Sequence, residues 1–90
     1  MTDIADNTTI SRFELVENGE TAFANYSRSG LLVIIPHVEA PPALRGTGAA
    51  GRLMEGIVAK ARAEGFKITP TCSYASAWFR RHKDAADVLA

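Results

Sequence analysis

Arg45-Gly46-Thr47-Gly48-Ala49-Ala50-Gly51 is the stretch on which the reading of this chain turns. It leads into a helical pattern in which Ala49, Ala50, Leu53, Met54, Ile57, Val58 and Ala61 recur at three- and four-residue steps. Arg52, Glu55, Lys60, Arg62 and Glu64 lie off that apolar stripe, and Gly65 suits the stop of the helix. A glycine-rich turn at a helix start exposes backbone N–H groups and the positive end of the helix dipole, a natural anion site. Gly46 and Gly48 let the backbone approach a phosphate with no Cβ in the way. Arg45 adds a planar, permanently charged donor. The alternative is an ordinary glycine-lined helix start beside a surface arginine.

Gly46-Thr-Gly48-Ala-Ala-Gly51 has the wording of the dinucleotide fingerprint, but its surroundings do not fit. That fingerprint needs a βαβ unit from the start and an acid about 20 residues on. Lys67 to Cys72 contains no acid, and no Gly-Lys-Ser/Thr is present for a Walker loop.

Upstream, Leu31-Leu-Val-Ile-Ile35 is a continuous apolar run, expected to be a central strand covered on both faces. Arg28-Ser29-Gly30 reads as a turn. Thr21 to Ser27 reads as a strand with Ala22, Ala24 and Tyr26 on one face. Asn18-Gly19 is a strong hairpin signal, and Arg12 to Glu17 is its other strand. Residues 1–11 are polar and aperiodic and read as a flexible tail. Pro41-Pro42 ends the apolar strand. Downstream, Phe66 to Pro70 reads as a short strand. A helix is expected over Ala75 to His82 with Trp78 and Phe79 facing inward, then a final helical turn over Asp84 to Leu89. The fold class is α+β: an antiparallel three-stranded meander, a helix, a further strand parallel to the third, and a C-terminal helix. The connection between the parallel strands is expected to be right-handed. Residues 12–90 form one domain.

Composition narrows the function. Ten basic residues balance ten acidic ones, with no basic run, which argues against a nucleic-acid binder working through bulk electrostatics. Cys72 is the sole cysteine, so no intramolecular disulfide can form and a reducing compartment is implied. The N-terminus lacks a signal-peptide pattern and the longest apolar run is far too short to span a bilayer, so a cytoplasmic, membrane-free location is expected. His37, His82 and Cys72 lack zinc-ligand spacing, and no metal is expected.

Arg45-Gly-Thr-Gly-Ala-Ala50 resembles the pyrophosphate motif of the GNAT N-acetyltransferases, Arg/Gln-x-x-Gly-x-Gly/Ala, and sits where that fold puts it. His37-Val-Glu39, Leu44-Arg-Gly46 and Pro70-Thr-Cys72-Ser-Tyr74 are similar to the small single-domain branch, whose members carry His-Thr-Glu-Val, Leu-Arg-Gly-x-Gly and Pro-x-Cys-x-Tyr. The resemblance covers residues 12 to 89. It implies that acetyl-CoA binds with its pyrophosphate on Arg45, Gly46, Thr47, Gly48, Ala49 and Ala50. It implies that the pantetheine arm lies where the strand before the loop splays from the strand after the helix, so that Val38, Glu39 and Ala40 border the thioester. It implies acetyl transfer to an amine acceptor, with a non-catalytic CoA-binding module as the alternative. A third possibility, an interaction domain without a ligand, fits poorly with the intact loop.

Two departures stand out. Val38 replaces the branch's usual threonine. Phe79 lies in the segment where larger members often carry a tyrosine that protonates the leaving thiolate. For the proton work His37, Glu39 and Cys72 are candidates, with Tyr74 behind them. His37 and Cys72 are the candidate catalytic residues. His37 has the best unperturbed pKa for a base near neutrality, and is equally readable as a strand-end histidine. Cys72 reads as a nucleophile, a lining residue of the thiol pocket, or a small buried apolar residue. Arg80, Arg81 and Lys83 read as a solvated basic face, or one of them meets the 3′-phosphate of CoA. The acceptor side is expected to be open, suiting an amine on a protein or other large partner.

Overall fold

The computed structural model describes residues 4–90. Five strands, β1 (Ala5–Asn7), β2 (Arg12–Glu17), β3 (Glu20–Ser29), β4 (Leu32–Glu39) and β5 (Lys67–Pro70), form one sheet in that order. Strands β1 to β4 pair antiparallel, and β5 pairs parallel to β4. Between β4 and β5 the chain makes a 3₁₀ turn, Pro42–Leu44, and the helix α1 (Ala49–Glu64). Helix α2 (Ser73–Arg81) follows β5, and a second 3₁₀ turn, Lys83–Val88, carries the chain back to β5, where the Ala90 N–H donates to the Ile68 carbonyl at 2.9 Å. No helix of the described residues is long and apolar enough to cross a membrane.

The local reasons are visible. Asn18 and Gly19 both hold positive φ, 52° and 74°, the geometry a two-residue turn needs to match the strand twist. Gly65 ends α1 at φ 81° and donates its N–H to the Ala61 carbonyl at 2.7 Å. Apart from Ala50, which is only half-buried, the stripe read from the sequence is the buried face of α1, and it packs on the inward residues of the strands, Phe13, Leu15, Ala22, Ala24, Val33 and Ile35. Phe13 stacks between Tyr26 and Phe66, with centroids 4.5 and 6.2 Å away.

Three expectations need correction. The meander has four strands, because residues 5–7 are not a loose tail but an edge strand. Three side-chain and main-chain links hold them: Ala5, Asp6 and Asn7 pair with Glu14, Phe13 and Arg12, Ile4 packs on the core, and the Tyr26 hydroxyl donates to Asp6 at 2.6 Å. Burial, reinforced by that bond, pushes the Tyr26 phenol up to about 12. The tail call for residues 1–3 lies outside the described residues. Second, the apolar run is covered on one face only. Val33 and Ile35 are buried, whereas Leu31 is in the turn and 62% exposed and Leu32 is 37% exposed. Third, α2 begins at Ser73 rather than Ala75, because the Cys72 sulfur caps it by accepting the Ala75 N–H at 3.3 Å.

One irregularity shapes the site. The β3–β4 register passes from Ser27↔Ile34 to Asn25↔His37, so β4 carries one extra residue near Pro36. The β4–β5 ladder ends at the same level, at Ile35↔Pro70, with a last bond from the Thr71 N–H to the Ile35 carbonyl at 3.0 Å. Beyond that point Pro36–Glu39 pairs only with β3, and the two parallel strands part.

Candidate functional site

The glycine turn closes around its own backbone. The Arg45 N–H donates to the Pro42 carbonyl and the Thr47 N–H to the Leu44 carbonyl, both at 3.2 Å. The Thr47 hydroxyl donates to the Leu44 carbonyl at 2.6 Å and accepts the Ala49 N–H at 3.3 Å. Gly46 and Gly48 take φ of 79° and 85°, a region hostile to residues with a Cβ. Among the described residues, this leaves the amides of Gly46, Gly48, Ala50 and Gly51 without protein acceptors. They gather at the start of a sixteen-residue helix, where the dipole favours an anion.

These amides border a cleft of about 270 Å³ lined by Ala40, Leu44, Arg45, Gly46, Gly48, Ala49, Ala50, Gly51 and Tyr74. Arg45 reaches across its mouth, donating Nε to the Ala40 carbonyl at 3.2 Å. A brace stands behind the loop. Arg52 donates Nε and Nη2 to the two Glu17 carboxylate oxygens, both at 2.7 Å, and Nη1 to the Thr47 carbonyl at 3.0 Å. The guanidinium holds the Glu17 carboxyl below the usual carboxylate range. The brace keeps the Thr47 carbonyl turned away from the cleft, so donors rather than acceptors face the space.

The sequence-assigned residues divide into three groups. Ala40, Arg45, Gly46, Gly48, Ala49 and Ala50 line the cleft; Thr47 does not, because its hydroxyl and amide are spent inside the turn. Val38 and Glu39 lie on the stretch of β4 that pairs with β3 but no longer with β5, Val38 packed toward the core and Glu39 on the opposite, open face. His37 shares that open face, with Nε2 at 3.0 Å from the Glu39 carboxylate and about half of each side chain exposed. Its ring leans on Phe23, with centroids 6.2 Å apart. Cys72 is half-buried at the start of α2. His37 and Cys72 stand on the two lips of the opening, each two residues past the final β4–β5 pair, Ile35↔Pro70. Their polar atoms bond elsewhere, to Glu39 and to the Ala75 amide.

Sequence reasoning missed Gly51 and underweighted Tyr74. A Cβ on Gly51 would meet Trp78 Nε1 at 3.8 Å and the Tyr74 hydroxyl at 4.0 Å, ordinary van der Waals contacts, so this position of α1 faces α2 beneath the cleft. The available signal was a glycine inside the first turn of an otherwise strong helix. Burial raises the Tyr74 phenol's pKa, while the Arg81 charge pulls it back down.

Comparison with known proteins supplies an independent line. Residues 12–88 match the family described as GCN5-related N-acetyl-transferase. The fold also matches the NMR solution structure of a GCN5-like protein from Staphylococcus aureus, with a TM-score of 0.69 at 22% identity, over 99% of this chain and 88% of that one. No curated protein is significantly similar in sequence.

Proposed function

Given that the chain belongs to the GCN5-related N-acetyltransferase family, we propose that it binds acetyl-CoA in the glycine-loop cleft and transfers the acetyl group to an amine on a protein or other large acceptor. The observation that carries this reading is the set of four free amides and the Arg45 guanidinium facing one cleft. A pyrophosphate supplies the acceptors those donors lack.

From that anchor the pantetheine arm follows the unpaired edge of β4, Pro36 to Ala40, into the opening between the parallel strands. Alternate residues of β4 turn their main-chain groups toward β5, as the Leu31 and Ile35 carbonyls do. The extra residue near Pro36 passes that orientation to Val38 and Ala40. Main-chain N–H groups there can meet the amides of the arm and the oxyanion of a tetrahedral intermediate.

The thioester then arrives between His37 and Cys72. With Nε2–H donated to Glu39, the lone pair of His37 lies on Nδ1 and takes the proton from the attacking amine. The amine nitrogen forms its bond to the acetyl carbon, the carbon–sulfur bond breaks, and the thiolate leaves toward the N-terminus of α2. Cys72 and the positive end of the helix dipole border that departing charge. His37 and Glu39 sit on the sheet face that no helix covers, so an amine carried by a large partner can reach them.

The competing reading, a module that holds CoA without turnover, is favoured by one observation: His37 and Cys72 do not touch. Acetyl transfer from acetyl-CoA to lysine-containing peptides separates the two. Turnover is expected, and His37→Ala should lower kcat about 100-fold or more while leaving CoA affinity unchanged. Cys72→Ser should keep most of the activity if transfer is direct and lose it if an acetyl-cysteine forms. Tight CoA binding with no transfer to any peptide would establish the binding module instead.

A further inference from the structure

Arg52 stands where the helix dipole disfavours it. It is the fourth residue of α1, and the first turn holds no acid to offset its charge. A cation there does nothing for the helix, so its place is explained by what the side chain holds.

Two successive loop carbonyls end on this one residue. Its main-chain N–H donates to the Gly48 carbonyl and its Nη1 to the Thr47 carbonyl, both at 3.0 Å. Thr47 lies four residues before Gly51, so in a longer helix its carbonyl would take the Gly51 amide. With that carbonyl held by Arg52, and Gly48 at positive φ, the Gly51 amide stays open to a ligand. Glu17 fixes the guanidinium from another element. It ends β2 and accepts Nε and Nη2 on its two carboxylate oxygens at 2.7 Å each. Its cross-strand neighbour is Glu20, a like charge directly opposite, so Arg52 also offsets a repulsion within the β2–β3 hairpin. Neither Glu17 nor Arg52 lines the cleft. One side of the guanidinium fork rests on the hairpin and the other on the glycine loop, which links the loop to a carboxylate 35 positions from Arg52 in sequence.

We infer that Glu17 and Arg52 are positioning residues for the CoA pyrophosphate: they set its affinity from outside the cleft by holding the loop carbonyls away from it. The inference rests on the acetyl-CoA reading above. It makes the β2–β3 hairpin part of the donor site. Lysine cannot fully replace Arg52, because a single ammonium on a flexible stem does not hold a carboxylate side-on and a carbonyl at once.

NMR titration of the full chain with CoA, following the backbone amides, tests this at about 0.15 M salt, where charges more than about 8 Å apart are largely screened. Arg52→Gln should weaken CoA binding about tenfold, the worth of roughly one charge-assisted contact. Glu17→Gln keeps the shape of the side chain and should weaken it about threefold. The double variant should bind no more weakly than Arg52→Gln, because the pair acts as one unit. Arg52→Lys should recover only part of the loss. Before CoA is added, each variant should differ from wild type only in the amides of the hairpin and the glycine loop. Wild-type affinity in Arg52→Gln overturns the inference, as does an additive loss in the double variant. Tighter binding by Glu17→Gln also overturns it, since a freed Arg52 would then be contacting phosphate itself. A loss accompanied by shift changes throughout the sheet would reduce the pair to a support of the fold. If Arg52→Gln does not fold, Glu17→Gln carries the test alone, and wild-type affinity there overturns the inference. A wild type that does not bind CoA overturns the acetyl-CoA reading instead.

Discussion

Gly48→Val is expected to leave a folded domain that no longer binds CoA measurably. Gly48 holds φ of 85° at the N-cap of α1. A β-branched residue resists that region, at a cost on the order of 1–3 kcal/mol. A Cβ there meets only the end of the Arg52 side chain, at 3.0 Å, which can swing aside. The core is untouched, so the domain survives. The cradle does not, because relieving the strain turns the Gly48 and Ala50 amides away and the added side chain displaces the Arg52 guanidinium that ties the Thr47 carbonyl to Glu17. Losing two charge-assisted amide contacts weakens affinity roughly 100-fold or more. Circular dichroism and calorimetry on the same sample check both halves. A folded variant with wild-type affinity would show that the loop does not hold phosphate.

Trp78→Ala should have the largest effect on stability. Trp78 is 3% exposed, meets Phe79 edge-on with centroids 5.2 Å apart, and lies flat on His82 at 4.0 Å. Truncating a buried tryptophan costs about 3–5 kcal/mol. That is a large share of the ~5–15 kcal/mol that holds a domain together, and less is available to a small one. The melting temperature should fall by about 15–30 °C, given roughly 4–8 °C per kcal/mol at this size. Trp78 also separates α1 from α2 beneath the cleft, so CoA should rescue the variant less well than wild type. A drop under about 5 °C would mean that the α1–α2 seam is not a principal support of the fold.

The parts of this fold that depend on local chemistry were legible in the sequence. Asn18-Gly19 announced its turn because only residues tolerant of positive φ serve there. The α1 stripe announced its buried face, and the glycines ahead of it announced an N-terminus with free amides. What depends on distant partners was not legible. Ala5-Asp-Asn7 is too short and polar to show a period, and its anchor, the Tyr26 hydroxyl, is 20 residues from Asp6. The Leu31–Ile35 run suggested burial on both faces, but an apolar run cannot say whether a second layer exists. The helices pack on one face, and Leu31 and Leu32 stay exposed. Cysteine is outside the usual capping set, so the start of α2 at Cys72 was placed too late. The Arg52–Glu17 brace joins residues 35 apart and carries no sequence signature. At the site, the loop residues were placed together, whereas His37 and Cys72 lie on opposite lips of one opening, because β4 carries an extra residue that its sequence does not advertise.

One cleft, built from the glycine turn and the first turn of α1 with Ala40 and Tyr74 beside them, is expected to receive CoA. Titrating the isotopically labelled full chain with CoA and following every backbone amide tests it most directly. The largest shifts are expected within residues 37 to 52, led by Gly46, Gly48, Ala50 and Gly51, whose amides have no protein acceptor among the described residues. Largest shifts outside residues 37 to 52, with those four amides unmoved at saturation, would contradict the account.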